Sequence, residues 1–274
     1  MTSMTSNPSI RPSLARRVPV LAALAVLALG SGGCASTPSI DPAQHETDLR
    51  IAVAKRNVGV DHLANGRTPL AIRELQFAYE MNPDDPRTVQ WLGEAYRRRG
   101  LLDKALEFML ISRKMDPTDH DMLLNLTGLY VQLKRFPEAI EVSQVLIDDP
   151  TFSAPWQAFT NKGWALLQLG HLSEARANFE EALAFQPRYW PARLNLGILD
   201  ASEGRRLQAI VNFEKVLERN IGRSAEAETN YRLGEAYVSL GRRDKALEYF
   251  KVAAETAPYD RWGQQSQEYL KLLH

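Results

Sequence analysis

Apolar residues recur along most of this chain at helical spacing, in short blocks that superimpose on one another. The segments LAIREL, KALEFM, EAIEVS, EARANF, QAIVNF and KALEYF register on an alanine, at Ala71, Ala105, Ala139, Ala175, Ala209 and Ala246. The successive spacings are 34, 34, 36, 34 and 37 residues. Twelve residues before the alanine stands a glycine (Gly59, Gly93, Gly163, Gly197, Gly234), replaced once by Thr127. A second small residue lies between the two, at Gly66, Gly100, Gly170, Gly204 and Gly241, with Lys134 as the exception. Four residues after the alanine comes a large apolar side chain in five copies: Leu75, Met109, Phe179, Phe213 and Phe250. Proline closes four copies, at Pro83, Pro117, Pro187 and Pro258.

Each unit therefore predicts two short amphipathic helices with a break between them. Small residues such as Gly93 and Ala105 let the two helices approach closely, and Leu92, Tyr96 and Met109 fill the space around that contact. Proline stops the second helix, because it lacks the next N–H and restricts the residue before it. No unit can bury its apolar face alone, so stability has to come from stacking on neighbours. The two longer spacings predict extended connections around residues 152–155 and 221–223. The tail WGQQSQEYLKLLH predicts a final helix that covers the end of the stack with Tyr269, Leu270, Leu272 and Leu273.

WLGEAY followed by GLLDKALEFM and MDP resembles the signature of the tetratricopeptide repeat family, and six copies cover roughly residues 52–260. The resemblance implies an all-α, right-handed solenoid, with the six-repeat domain over 48–260 and a capping helix over 261–274. It also implies a concave groove lined by the first helix of each repeat. The groove positions expected on that basis include Val60, Leu63, Arg97, Leu124, Val131, Trp164, Leu167, Leu194 and Ile198. They carry more apolar side chains than a solvated wall would, which marks a binding surface. Trp164 is the expected aromatic anchor; the other reading of Trp164 and Leu194 is lateral packing against adjoining helices. Asn57, Asn125, Asn161 and Asn195 recur at one register, and an amide can both donate to and accept from a peptide backbone. Local hydrogen bonding on the helix surface is their other reading. The carboxylate clamp known in the family is absent, since Val60, Glu94, Gly128, Trp164, Ile198 and Glu235 occupy the place of one of its asparagines. An internal or apolar segment of a protein partner is the ligand that this implies.

The first forty residues change the picture. Arg11, Arg16 and Arg17 precede an apolar run from Val18 to Leu29, and no acid occurs in residues 1–33. The run is too short for the ~20 residues of a membrane span, and the order of basic, apolar and small residues is that of a secretory signal peptide. The chain's only cysteine, Cys34, follows directly. One thiol makes neither an internal disulfide nor a thiolate cluster. Ser31-Gly32-Gly33-Cys34 resembles a bacterial lipobox, with Ser31 where an aliphatic residue is usual. The resemblance implies cleavage after residue 33, acylation of Cys34 and, with Ala35 next, sorting to the outer membrane. Residues 34–47 then serve as lipidated N-terminus and tether. The whole chain has 33 basic and 33 acidic residues, and loss of the leader's three arginines leaves 30 against 33. That charge gives no electrostatic footprint for nucleic acid.

The five histidines show no metal-ligand spacing, no phosphate-binding glycine loop is present, and every glycine named above has a steric task. An enzyme is not expected, nor a cofactor or small-molecule substrate. His62 stands where the repeat wants a packed aromatic. The lipoprotein leader, the six repeats and the segment DDPTFSAPWQAFTNKGWALLQLGHLSEARANFEEAL together resemble the type IV pilus pilotin family (PilF, PilW and Tgl types). That resemblance implies a periplasm-facing outer-membrane lipoprotein that binds secretin subunits and promotes their assembly. The competing expectation is a periplasmic scaffold that recruits cell-wall hydrolases, proteases or outer-membrane assembly factors.

Overall fold

A computed structural model describes residues 42–273, and these form thirteen helices with no strand among them. The helices pair in chain order: α1 (Pro42–Ala64) with α2 (Thr68–Met81), α3 (Pro86–Arg98) with α4 (Leu102–Met115), and α5 (His120–Gln132) with α6 (Phe136–Asp148). They continue as α7 (Pro155–Gln168) with α8 (Leu172–Phe185), α9 (Trp190–Ser202) with α10 (Arg206–Leu217), and α11 (Arg223–Ser239) with α12 (Arg243–Thr256). The last helix, α13 (Arg261–Leu273), stands alone in sequence. Each odd-numbered helix through α11 packs against its own partner and against the next odd-numbered helix. The odd helices thus form one continuous wall, and the even helices back it. The leader and Cys34 lie outside the described residues. Residues 42–47, expected in the tether, are helical and belong to α1.

The alanine register is the contact line of every pair. Ala71, Ala105, Ala139, Ala175, Ala209 and Ala246 are wholly buried. Opposite them the glycine of the first helix faces the large residue four beyond the alanine. A Cβ placed on Gly163 would lie 2.7 Å from Phe179, and one on Gly234 would lie 2.5 Å from Phe250. Those distances are far inside van der Waals contact, so the ring occupies the space that a side chain would need. Burying one such ring contributes roughly 1.5–3 kcal/mol.

Repeat 3 reaches the same spacing by exchanging volumes. Thr127 adds bulk on α5 where the others have glycine, and Ser143 removes it on α6 where the others have leucine, methionine or phenylalanine. Both are wholly enclosed, and each hydroxyl donates within its own helix, Thr127 to the Leu123 carbonyl at 2.9 Å and Ser143 to that of Ala139 at 2.7 Å.

The second small residue of each repeat ends the first helix in the left-handed region. Gly100 has φ of 81°, and Leu101 N–H closes back on the Tyr96 carbonyl at 3.0 Å, the six-to-one bond of a glycine C-cap. Lys134 adopts φ of 58° without glycine's freedom, and Arg135 N–H still reaches the Tyr130 carbonyl at 2.8 Å. The connections between repeats are four residues long where the period is 34. The connection before α7 runs over 149–154 and that before α11 over 218–222. These are the two places where the spacing predicted longer turns. Phe152 tucks into the core there against the ring of His120, centroids 5.2 Å apart.

At the C-terminal end α13 covers repeat 6. Tyr269 stacks on Phe250 with centroids 4.5 Å apart, and Trp262 and Leu270 pack beside it. Leu272 does not take part, since it is 80% exposed: its register points it away from α12.

Gly234→Ala and Gly128→Ala should move stability in opposite directions. Gly128 is helical with open space around it, so alanine should stabilise by up to about 1 kcal/mol. At Gly234 the same gain meets the Phe250 ring, and overpacking costs about 1–3 kcal/mol. Urea unfolding of the two variants checks this; destabilisation at both positions, or at neither, contradicts it.

Candidate binding surface

The inner wall is where sequence and structure converge, because all four recurring asparagines and every expected groove residue lie on odd-numbered helices. The structure sorts them. Leu63 and Leu194 are buried, at 2% and 6% exposure, so they are core and not groove. Their register turns them onto the neighbouring helices, the lateral packing that was the other reading of Leu194. Trp164 and Leu167 are half-buried and pack against the cluster of Leu166, Ala175, Phe179, Leu196 and Leu199. Trp164 is therefore largely a packing residue, and the anchor role expected of it is left to the part of its surface that stays open. Leu124 and Val131 are half-buried against the first core, and Val60 is half-buried on α1.

Two clefts open along this wall. One, of about 180 Å³, lies between α3 and α5, and Leu124 and Asn125 share it with Gln90, Trp91, Glu94 and Asp121. The other, of about 380 Å³, lies between α9 and α11. Ile198, Phe213 and Ala236 give it an apolar lining, and Arg232 and Glu235 supply charge. Trp91 and Arg232 were not singled out from sequence, yet the signal was present. They occupy in repeats 2 and 6 the register that asparagine holds in repeats 1, 3, 4 and 5.

The asparagines differ from others in the chain. Asn178 and Asn230 each donate to the carbonyl four residues back, at 2.8 and 2.9 Å. Asn57 receives only a 3.5 Å contact from Arg56 and is exposed. Asn125, Asn161 and Asn195 are half-buried, and among the described residues their amides make no hydrogen bond. Three successive repeats thus present an amide, at one register, with both its donor and its acceptor available.

The charged groups on the wall are largely committed. Burial works against the charge on Glu94, but hydrogen bonds from Arg97 and Arg98 prevail and hold its carboxyl below the usual range. Arg97 spans both oxygens at 2.6 and 2.8 Å, so this expected groove residue is tied down. Arg56 pairs with Asp85 at 2.7 Å, linking repeat 1 to the cap of α3. Arg232 lies over the ring of Trp262 at 4.7 Å, between Glu228 and Glu235. In repeat 5, Asp200 replaces a stacked aromatic. Repeats 2 and 6 pair Tyr96 with Phe108 and Tyr237 with Tyr249 at that place. Asp200 instead accepts from Asn212 at 2.7 Å, Arg176 at 2.6 Å and Arg205 at 3.0 Å. Wholly buried and held by three donors, it is a structural carboxylate. His62 fills the packed-aromatic place in repeat 1, and its Nδ1 is enclosed without a partner. Among the described residues no group of three or more His, Cys, Asp or Glu is placed to hold a metal ion. No helix among them is long and apolar enough to cross a membrane.

Comparison with known proteins matches this architecture. Sequence profiles of the tetratricopeptide repeat match residues 59–120, 156–189 and 201–261, together more than half of the chain. Tetratricopeptide repeat protein 16 of Homo sapiens is 26% identical over 172 residues, covering 59% of this chain and 20% of its own length. The Hsp70-Hsp90 organising protein of Plasmodium falciparum is 28% identical over 108 residues, covering 39% of this chain and 42% of that protein. The chain thus spans well under two thirds of these curated relatives. Among solved structures, PilW, a type IV pilus biogenesis factor, superimposes with a TM-score of 0.68 at 22% identity, over 78% of this chain and 97% of PilW. Pseudomonas aeruginosa pilF gives 0.63 at 19% identity, over 81% and 99%. A tetratricopeptide repeat protein from Parabacteroides merdae gives 0.67 at 18% identity, over 85% of each chain.

One electrostatic consequence concerns the long turn before α7. Asp149 accepts from His120 at 2.7 Å and from the Thr151 hydroxyl and N–H at 2.7 and 2.8 Å, and these bonds lower its pKa from 3.8 to about 2. A depressed folded-state value means that the contribution to stability is fully present above 3.8 and is lost as pH falls through about 2. Carboxyl NMR titration should place the Asp149 midpoint near 2 and shift it upward in His120→Ala. A midpoint near 3.8 in the unmodified protein contradicts the assignment. The six helix pairs, the close glycine contacts in five of them and the matching profiles lead to one conclusion: this chain belongs to the tetratricopeptide repeat family.

Proposed function

We propose that this protein is a type IV pilus biogenesis factor of the pilotin kind, an outer-membrane lipoprotein whose inner wall holds a segment of a secretin subunit while the pore assembles. The observation that carries the reading is the row of unpartnered amides on Asn125, Asn161 and Asn195, set beside the clefts that hold Leu124 and Ile198. A peptide backbone laid along that row would find a donor and an acceptor at each repeat, with apolar side chains entering the clefts at its two ends. Two further observations support it. Nearly the whole folded length of PilW and of pilF is matched by the fold, at 97% and 99%. The leader ending at Cys34 supplies the means of anchoring at a membrane.

In this reading no chemistry is performed on the partner. Acyl chains on Cys34 hold the protein at the inner leaflet of the outer membrane, facing the periplasm. Tethered solenoids raise the local concentration of captured subunits and cover their apolar surface until the ring closes. No nucleic acid, cofactor or small substrate enters.

The test combines deletion with a groove variant. Deletion should abolish surface pili and heat-resistant secretin multimers, and Cys34→Ser should release the protein from the membrane fraction. In Asn125→Ala/Asn161→Ala/Asn195→Ala, each lost hydrogen bond is worth about 0.5–1.5 kcal/mol. Capture of a purified secretin subunit should therefore weaken at least tenfold, with circular dichroism unchanged. Normal pili and multimers in the deletion strain, with cell-wall digestion altered instead, would favour the scaffold reading and end this one.

A further inference from the structure

Outside the inner wall, the connection between α8 and α9 is basic where four of the other connections between repeats carry aspartates. The turns at 82–85, 116–119, 148–151 and 257–260 carry aspartates, and Asp85, Asp119, Asp149 and Asp260 accept hydrogen bonds from nearby backbone N–H groups. The turn at 186–189 reads Gln-Pro-Arg-Tyr, and Tyr189 offers α9 no side-chain cap. Here Arg188 and Arg193 meet Lys215 and Arg219 from the end of α10 around a cleft of about 180 Å³, walled by Trp190 and carrying a single carboxylate, Glu218.

Four cations around one small space repel each other, and little in the protein answers them. Arg193 donates to the Pro187 carbonyl at 3.1 Å. The side chains of Arg188, Lys215 and Arg219 make no hydrogen bond or ion pair among the described residues. The helix dipole accounts for only part of the arrangement. Lys215 sits in the last turn of α10, where a cation is favoured, but Arg188 and Arg193 flank the N-terminus of α9, where it is disfavoured. That first turn also holds no acid. The volume falls below the ~300 Å³ of pockets for drug-sized ligands, which suits a compact anion. Guanidinium forks match the paired oxygens of a phosphate group, and three of the four cations are arginines.

We propose that this cleft binds a phosphate group, carried either by a small soluble molecule or by a lipid headgroup. The site shares α9 with the inner wall, at that helix's N-terminus, but none of its lining residues lines either wall cleft. It needs nothing of the proposed secretin binding. Calorimetry on the full chain with inorganic pyrophosphate, and flotation with phosphatidylglycerol-containing vesicles against pure phosphatidylcholine vesicles, read the two sources separately. Arg188→Ser/Arg219→Ser should not lower the melting temperature, because both side chains are exposed and unpaired and their loss relieves repulsion. It should lower pyrophosphate affinity at least tenfold, and Lys215→Ser alone should lower it less. Loss of pyrophosphate binding alone assigns a soluble ligand; loss of the added recruitment to phosphatidylglycerol vesicles assigns a headgroup. Equal binding of both probes by variant and unmodified protein overturns the proposal, as does an oligo-aspartate peptide that binds more tightly than pyrophosphate.

Discussion

Everything in this molecule depends on how closely two helices of a pair can approach. The distance is set where a glycine on the first helix meets a large side chain on the second, beside a buried alanine. Gly163 against Phe179 and Gly234 against Phe250 leave no room for even a methyl group. Because the same contact recurs in five pairs, and Thr127 with Ser143 reproduces it in the sixth, the pairs stack with matching shapes. The odd helices then form an unbroken wall, and the clefts along it exist only because that wall is continuous.

The wall's chemistry is divided between groups that are satisfied and groups that are not. Glu94 is neutralised within α3 by Arg97 and Arg98, and the Arg56–Asp85 pair locks repeat 1 to repeat 2. Asp200 does the same in repeat 5 with Arg176, Arg205 and Asn212. Against that background the idle amides of Asn125, Asn161 and Asn195 stand out. Leaving half-buried amides without partners in three successive repeats gains the fold nothing, and the proposed reading gives them a peptide to hold.

Much of this was legible in the sequence, for physical reasons. A repeat that must bury its apolar face on its neighbours has to keep its spacing, so the six alanines marked helix pairing and the two long turns directly. The groove was less legible. Leu63 and Leu194 sit at the right register but are buried in the core, which the spacing of the repeat alone does not reveal. Trp164 is half-buried, so one part of it packs on its neighbours and another stays open. Leu272 was apolar but faces away from α12, and residues 42–47 are helical although their polar composition reads as a tether. Trp91 and Arg232 share the asparagine register, but only the structure shows that they line clefts. The compensation at Thr127 and Ser143 likewise needs both helices in view.

The central claim is that the inner wall, and not the outer helices, grips another polypeptide. A photoactivated crosslinker installed in living cells at Gln90 or Ala201 on the inner wall, and at Glu107 on the outer face of α4, tests it most directly. The account predicts a secretin adduct from the two inner positions and none from Glu107. An adduct from Glu107 alone, or inner positions that capture no polypeptide at all, would contradict it.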